Sequence, residues 1–132
     1  DWFGKNSIRL YIDRENKISD DVHLKDGTIP TICLTSNLKE NKLNLDFELV
    51  DFTKNVPEQI CEILYKRNIQ SMIVEGGTFT LQQFINANLW DEAMVFKSQV
   101  LLNDGTKAPM FNKNPFEIKS ISNDQLFLFK NK

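Results

Sequence analysis

The sequence predicts an α/β fold with a mainly parallel central sheet, flanking helices and an antiparallel hairpin near the C-terminal end. Three observations support this prediction. Short apolar runs of strand type alternate with segments of helical periodicity. One of these runs is unbroken, as expected of a parallel strand buried on both faces. Two further apolar segments near the end of the chain are separated only by a polar turn, which is typical of a hairpin.

The first half of the chain contains three predicted strands and one helix. The strands are expected at residues 8–12, 30–35 and 43–52, where apolar residues alternate with polar ones or form a short run. A helix is predicted over residues 55–67. Asn55 can cap it, a proline stands in its first turn, and apolar residues recur at helical spacing.

The second half continues the alternation of strands and helices. Residues 70–75 are predicted to form the strand that is buried on both faces, and residues 78–88 a helix. A long strand is expected over residues 91–102, followed by a hairpin of residues 116–119 and 125–129. The order of elements implies right-handed crossovers. Five phenylalanines fall at core periodicity and are predicted to be packing residues: Phe47, Phe84, Phe96, Phe127 and Phe129.

Composition excludes several classes of function. The 132 residues include 16 basic and 18 acidic side chains, so no positive field favours nucleic acid or an anionic membrane as a partner. No apolar run is long enough for a membrane helix and no signal peptide is evident, so a cytoplasmic location is expected. No linker divides the chain, which predicts a single domain over residues 1–132.

The cysteines and the histidine do not indicate a metal site. Cys33 and Cys61 lie apart in apolar stretches and are predicted to be buried thiols. His23 is the only histidine and stands in a polar stretch, where a loop position is expected. We therefore predict no metal site.

Residues 75–80, Glu-Gly-Gly-Thr-Phe-Thr, join the predicted buried strand to a helix and carry the chemistry. Two glycines allow a ligand to approach the main chain, and a helix N-terminus offers free N–H groups with a positive dipole end. That combination favours a phosphate group, with hydroxyl donors available from Thr78 and Thr80. The alternative on the residues alone is that the two glycines only make a tight turn.

These residues resemble a known family. The run Ile-Val-Glu-Gly-Gly at residues 73–77, followed by a helix that ends in Leu-Trp-Asp-Glu at 89–92, is similar to the reductase domain of the bifunctional riboflavin biosynthesis deaminase/reductase. Supporting matches are the strand with arginine and aspartate at residues 8–14 and the Gly-to-Pro loop at 105–109. The resemblance spans about residues 7–112 and implies a dihydrofolate-reductase-like fold.

The resemblance also implies an activity and a set of site residues. The activity is NADPH-dependent reduction of 5-amino-6-(5-phosphoribosylamino)uracil, with hydride passing to the sugar C1′ carbon. Glu75 would contact the substrate, and no residue is assigned a catalytic role. The residues implied to bind the cofactor are Arg14, Gly76, Gly77, Thr78, Phe79, Thr80, Leu81, Gln82 and Gln83.

The zinc-deaminase signature of that family does not occur in these 132 residues. The resemblance also implies that the first portion of the reductase domain lies before Asp1, so the sequence is expected to be the C-terminal portion of that domain, with poor or no activity alone. An uncovered strand edge and apolar surface then favour a homodimer. Two alternatives stay open: a non-catalytic module that binds a nucleotide or dimerises, and a related reductase that acts on a pterin.

Overall fold

The computed structural model describes residue 4, residues 6–100 and residues 102–132 of the chain. It divides into two compact units, Asp1–Asn68 and Ile69–Lys132. The prediction of one domain over the whole chain stays a prediction. Across the described ranges, no helix has the length and apolar character needed to cross a membrane.

The first unit contains a parallel sheet of three strands and one long helix. The strands are β1 (Arg9–Ile12), β2 (Thr31–Thr35) and β3 (Leu45–Leu49), hydrogen-bonded in the order β1-β2-β3. Both strand pairs are parallel. A short 3-10 turn at His23–Lys25 precedes β2, and helix α1 (Val56–Lys66) follows β3. All three predicted strands and the predicted helix are confirmed, with shorter strands than the sequence pattern indicated.

Helix α1 begins and ends at polar residues that bind its main chain or the sheet. The Asn55 side chain caps the N-terminus by accepting a hydrogen bond from the Glu58 amide at 3.5 Å. Arg67, directly after the helix, contacts Asp46 at 2.7 Å and Glu48 at 2.6 Å. Asp46 and Glu48 point to the same face of β3, so the Arg67 guanidinium, which binds both carboxylates, joins the C-terminal end of α1 to that face.

The core of the first unit uses both faces of β2, which is buried along its whole length. Ile32 and Leu34 point to one face, and Cys33 points to the other, where it packs with Leu45 and Phe47. The prediction of a buried thiol is confirmed for Cys33, whereas the Cys61 side chain is only partly buried. Burial raises the pKa of both thiols.

The second unit contains helix α2 (Thr78–Asn86) and an antiparallel sheet. Its strands are β4 (Glu92–Lys97), β5 (Glu117–Ile121) and β6 (Asp124–Lys130), in the order β4-β6-β5. The predicted C-terminal hairpin is confirmed as β5 and β6, and β6 joins it to β4. Together the two units have the predicted α/β fold class.

The prediction of a buried strand over residues 70–75 is wrong. The segment belongs to neither three-stranded sheet of the described chain, and the Ile73 side chain is 87% exposed. An apolar run is compatible with a parallel strand, but the strand forms only where a neighbouring main chain accepts and donates its hydrogen bonds. Both sheets are assembled from other segments.

Helix α2 ends at Asn86 and not at residue 88 as predicted. Asn88 has a φ of 55°, and its amide donates to the Ile85 carbonyl at 3.0 Å. The Leu89 amide donates to the Phe84 carbonyl at 3.1 Å. This pair of bonds around a left-handed residue is the Schellman motif, which stops the helix one turn before the pattern of apolar residues ends.

The Asp51 carboxylate, between β3 and α1, is expected to make the stability of the fold sensitive to acid. It accepts hydrogen bonds from the Thr53 hydroxyl at 2.6 Å and amide at 3.0 Å, and the hydroxyl bond is the main cause that lowers its pKa from 3.8 to about 2. A lowered carboxylate pKa stabilises the fold above pH 3.8, and that contribution is lost as the pH falls towards 2.

We expect Thr53→Val to weaken this acid sensitivity, because the Asp51 pKa then moves back towards its ordinary value. The measurement is the melting temperature across the interval between pH 3.8 and about 2. Thr53→Ser keeps the hydroxyl and serves as the control. An unchanged pH dependence in Thr53→Val would contradict the assignment of this hydrogen bond.

Candidate functional site

The bend at Gly76 and Gly77 leaves the main chain open in front of helix α2. Gly76 has a φ of 125°, a conformation that residues with a side chain rarely adopt. Gly77 is the N-cap of α2, with φ −71° and ψ 162°. A Cβ built on either glycine would meet no atom within 4 Å. A ligand can therefore approach the backbone of both residues closely.

The first turn of α2 presents main-chain amides that the described protein atoms do not satisfy. The first main-chain bond of the helix joins the Leu81 amide to the Gly77 carbonyl at 3.3 Å, and no acceptor within the described residues meets the amides of Thr78, Phe79 and Thr80. The N-cap has no side-chain hydrogen bond, and the first turn contains no acidic residue. Free N–H groups and an uncompensated positive dipole end favour an anion at this position.

A loop from further along the chain lies against the same helix. The Thr78 hydroxyl donates to the Lys107 carbonyl. The Gln82 side-chain carbonyl accepts from the Met110 amide at 2.7 Å. These two bonds bring the loop of residues 105–110 to the N-terminal half of α2. The glycine bend with its helix and the Gly-to-Pro loop are far apart in the sequence, and these contacts bring them together in the second unit.

The loop contact changes how several predicted site residues are used. The Thr78 hydroxyl binds the loop, so it is not the free donor that the sequence pattern indicated. The Gln82 side chain, which the resemblance assigned to the cofactor, also binds the loop. Phe79 is 79% exposed and Glu75 is also exposed, one on each side of the glycine bend. The remaining predicted cofactor residues in the helix are partly buried: Thr80, Leu81 and Gln83.

Lys107 is a candidate site residue that the sequence pattern did not single out. Its carbonyl is held by Thr78, so its main chain lies beside the first residue of α2, and its side chain is exposed. A cation beside a helix N-terminus adds to the attraction for an anion. The only sequence signal was a lysine between Gly105 and Pro109 in the loop.

Arg14 lies in the first unit, at the carboxyl end of its parallel strands. Its carbonyl accepts hydrogen bonds from the Ser36 amide at 2.9 Å and the Ser36 hydroxyl at 2.7 Å. Its guanidinium carbon lies 5.6 Å from the centre of the Phe52 ring. The carboxyl ends of parallel strands are where α/β sheets bind ligands. The guanidinium contact with an aromatic ring holds this side chain at that edge of the sheet.

The Leu-Trp-Asp-Glu segment after α2 has a structural role. The Asn131 side chain donates to the Trp90 carbonyl at 2.8 Å, and the Asn131 amide donates to the Asp91 carbonyl at 2.8 Å. The Trp90 ring lies 4.9 Å from the Phe111 ring, which in turn lies 4.6 Å from Phe129. The segment therefore fixes the entry into β4 and packs an aromatic cluster.

The residues at the bend suit a phosphate group. Within the described part of the chain, no group of three or more His, Cys, Asp or Glu side chains is arranged to hold a metal ion. The open glycine backbone and the free amides of α2 favour a negatively charged group such as phosphate.

The fold is shared with solved structures of riboflavin biosynthesis proteins. The deaminase/5-amino-6-(5-phosphoribosylamino)uracil reductase of Thermotoga maritima superposes with a TM-score of 0.79 over 97% of this chain, at 21% identity. Two crystal forms of Acinetobacter baumannii RibD superpose over 92% of the chain, with TM-scores of 0.70 and 0.68 at 14% and 15% identity. The chain spans 36–38% of the length of these proteins.

The fold is that of a dihydrofolate-reductase-like domain. The sequence profile of the RibD C-terminal domain matches residues 3–124, which is most of the chain. The chain therefore belongs to the RibD C-terminal domain family. Among curated proteins, none matches it at a significant level.

Proposed function

We propose that this chain is part of an NADPH-dependent reductase that converts 5-amino-6-(5-phosphoribosylamino)uracil to the ribitylamino product. The single observation that carries the proposal is the open glycine bend before α2, in a chain of the RibD C-terminal domain family. The related Thermotoga maritima protein is described as a reductase of this substrate. We further propose that the protein acts in the cytoplasm. We also propose that it forms a homodimer.

The residues around α2 are proposed to hold the coenzyme's phosphates. Gly76 and Gly77 provide the open backbone, and the amides of residues 78–80 provide the donors. Lys107 supplies a cation from the loop, and Thr78 and Gln82 position that loop. Phe79, Leu81 and Gln83 complete the proposed cofactor segment through their main chain or partly exposed side chains.

Arg14 is proposed to bind the 2′-phosphate or adenosine end of the coenzyme. Its guanidinium is a bidentate donor for phosphate, and it lies at the carboxyl edge of the parallel sheet in the first unit. A bidentate contact to a 2′-phosphate would favour NADPH over NADH.

Glu75 is proposed to contact the substrate. It is exposed, and it precedes the bend by one residue, so its carboxylate can accept hydrogen bonds from a polar substrate. A coenzyme held by these residues would supply the hydride for the sugar C1′ carbon. The protein's share is to orient the two reacting molecules and to exclude water around them.

The proposal is tested by fluorescence titration of the full chain with NADPH and NADH, followed by oxidation of NADPH in the presence of the pyrimidine substrate. We expect saturable binding with tighter affinity for NADPH, and slow oxidation that depends on the pyrimidine. NADPH binding with no effect of the pyrimidine on either binding or oxidation would favour the non-catalytic module and contradict the reductase. Oxidation with a dihydropterin and none with the pyrimidine would contradict the proposed substrate.

A further inference from the structure

A cleft of about 270 Å³ lies in the second unit, beside the C-terminal half of helix α2. Side-chain amides and the Lys113 ammonium supply its polar groups. Its apolar wall is formed by Ile85, Trp90, Met110 and Phe111. The volume is just below the range of about 300–1,000 Å³ that is typical of sites for drug-sized molecules, so a ligand of this cleft would be small.

Two hydrogen-bond relays run through the lining of the cleft, and the first begins at Lys113. The Lys113 ammonium donates to Asn131 Oδ1 at 2.9 Å. The Asn131 amino group donates to the Trp90 carbonyl at 2.8 Å and to Asn88 Oδ1 at 2.9 Å. Because an ammonium only donates and a main-chain carbonyl only accepts, the orientation of both amides is fixed. The relay therefore ends at the Asn88 amino group.

The second relay has the same polarity and begins at a main-chain amide. The Met110 amide donates to the Gln82 side-chain carbonyl at 2.7 Å, and the Gln82 amino group donates to Asn86 Oδ1 at 2.9 Å. This relay ends at the Asn86 amino group. In the described part of the chain, neither terminal amino group has an acceptor. Since the bonds of such a relay polarise one another, both amino groups are strengthened as donors.

The cleft also holds a positive charge that no carboxylate compensates. Within the described chain, Lys113 is the only charged residue of its lining. Besides Asn131 Oδ1, its ammonium contacts the main-chain carbonyls of Asn131 and Lys130, so all its acceptors are uncharged. The ammonium lies 5.2 Å from the centre of the Trp90 ring, which helps to hold it in place. The negative end of the α2 dipole opposes this charge, but it amounts to only about half an elementary charge.

We propose that this cleft binds a small organic carboxylate, with its oxygens at the Asn86 and Asn88 amino groups and its apolar part against Met110. Met110 is 75% exposed, so its apolar surface is available to a ligand. A carboxylate accepts through both oxygens, which suits two amino groups beside a cation. The oxygens of Asn86 and Asn88 are already engaged, so these two residues offer donors only. A cationic ligand would be repelled by Lys113.

This inference goes beyond the proposed reductase and does not rest on it. The glycine bend stands at the start of α2 and Asn86 at its end, about 12 Å away along the helix axis. Gln82 takes part in both regions, because it holds the loop of residues 105–110 as well as Asn86, and it is therefore left unchanged in the experiment. Loss of carboxylate binding and loss of NADPH binding are separate measurements.

The experiment is a titration of the full chain with sodium benzoate, followed by nuclear magnetic resonance of the asparagine side-chain amino groups. Benzoate is expected to bind saturably with a dissociation constant of about 1 mM and to shift the resonances of Asn86 and Asn88. Benzamide has the same shape without the charge and is expected to bind at least about tenfold more weakly. No saturable binding of benzoate, or an equal affinity for benzamide, would overturn the proposal.

Two variants test the ends of the relays. Asn88→Asp keeps an oxygen for Asn131 and tolerates the φ of 55°, but it replaces the amino group by a charged oxygen. Asn86→Asp makes the same change at the second relay. Each is expected to weaken benzoate binding at least about tenfold.

Asn123→Asp is the matched control, because it adds the same charge in the exposed turn between β5 and β6, away from the cleft. It should bind benzoate as the native chain does. Circular dichroism verifies the fold of each variant, and either relay variant alone is sufficient for the comparison. A folded Asn88→Asp or Asn86→Asp variant with the benzoate affinity of Asn123→Asp would contradict the assignment of the amino groups.

Discussion

Asp13→Ala is expected to lower the free energy of unfolding by about 3 kcal/mol, because it leaves two main-chain amides without their acceptor and removes a carboxylate beside a buried cation. The Asp13 side chain is 5% exposed. It accepts hydrogen bonds from the amides of Lys17 at 2.8 Å and Ile18 at 3.0 Å. The Lys25 ammonium lies 4.0 Å from it, on a side chain that is only 2% exposed.

The size of the expected stability loss depends on which contacts of Lys25 remain in the Asp13→Ala variant. Lys25 keeps its hydrogen bond to the Ile18 carbonyl and its contact with Asp20 at 3.3 Å. The hydrogen bond from Lys42, followed by that from Lys25, lowers the pKa of Asp20 to about 2. The loss is therefore expected at the lower end of what breaking a buried pair costs, which is about 3 kcal/mol.

Chemical denaturation of the variant and its controls measures this effect. Glu15→Ala changes an exposed carboxylate two residues away and is expected to stay within about 0.5 kcal/mol of the native chain. Adding Lys25→Met to Asp13→Ala removes the buried charge and should recover part of the loss. A single Asp13→Ala variant as stable as Glu15→Ala would show that the pair does not hold the loop after β1.

The elements that the sequence predicted correctly are those with local signals. Helix α1 has a capping asparagine, a proline in its first turn and apolar residues at helical spacing, and it forms at the predicted place. Strand β2 is a compact apolar run, and its burial follows from its position between two neighbours. The C-terminal hairpin is set by a short polar turn between two apolar segments.

The elements that were predicted wrongly depend on partners that no local pattern specifies. Residues 70–75 contain three consecutive apolar residues, as β2 does, yet they have no neighbouring strand in either sheet. Phe96 has core periodicity, but the face of β4 on which it lies is open. Periodicity indicates that a surface is apolar, and only the tertiary arrangement determines what covers it.

The candidate site divides in the same way. The glycine bend and the start of α2 follow from residues 75–78, which are adjacent in the sequence. The contact of the loop with Thr78 and Gln82 joins residues 28 or 29 positions apart, for which the sequence has no local signal. Lys107 was therefore identified as a candidate site residue only from its position in the folded chain. Its assignment, like that of Arg14 and Glu75, is a proposal.

Gly77→Asp is expected to weaken NADPH binding by about tenfold to a hundredfold while the fold stays intact. Gly77 has a φ of −71°, which any residue adopts, and a Cβ at this position meets no atom within 4 Å. Aspartate is also a better N-cap than glycine by a few tenths of a kcal/mol, so helix α2 should be slightly stabilised. Its carboxylate, however, would occupy the free amides and repel the phosphates of the coenzyme.

Gly77→Asn is the matched control, because asparagine caps a helix as well as aspartate does but carries no charge. The difference between the two variants therefore reports on charge at the bend, with shape and helix stability held constant. Melting temperatures of both variants should equal or exceed that of the native chain. Gly76 is unsuitable for this comparison, since its φ of 125° would strain any substitution.

The most direct measurement is the dissociation constant for NADPH of Gly77→Asp relative to Gly77→Asn, obtained by fluorescence titration at constant salt. If the glycine bend receives the coenzyme's phosphates, the aspartate variant binds at least about tenfold more weakly than the asparagine variant. Equal dissociation constants in two folded variants would contradict the account, because a phosphate beside residue 77 must respond to a charge placed there.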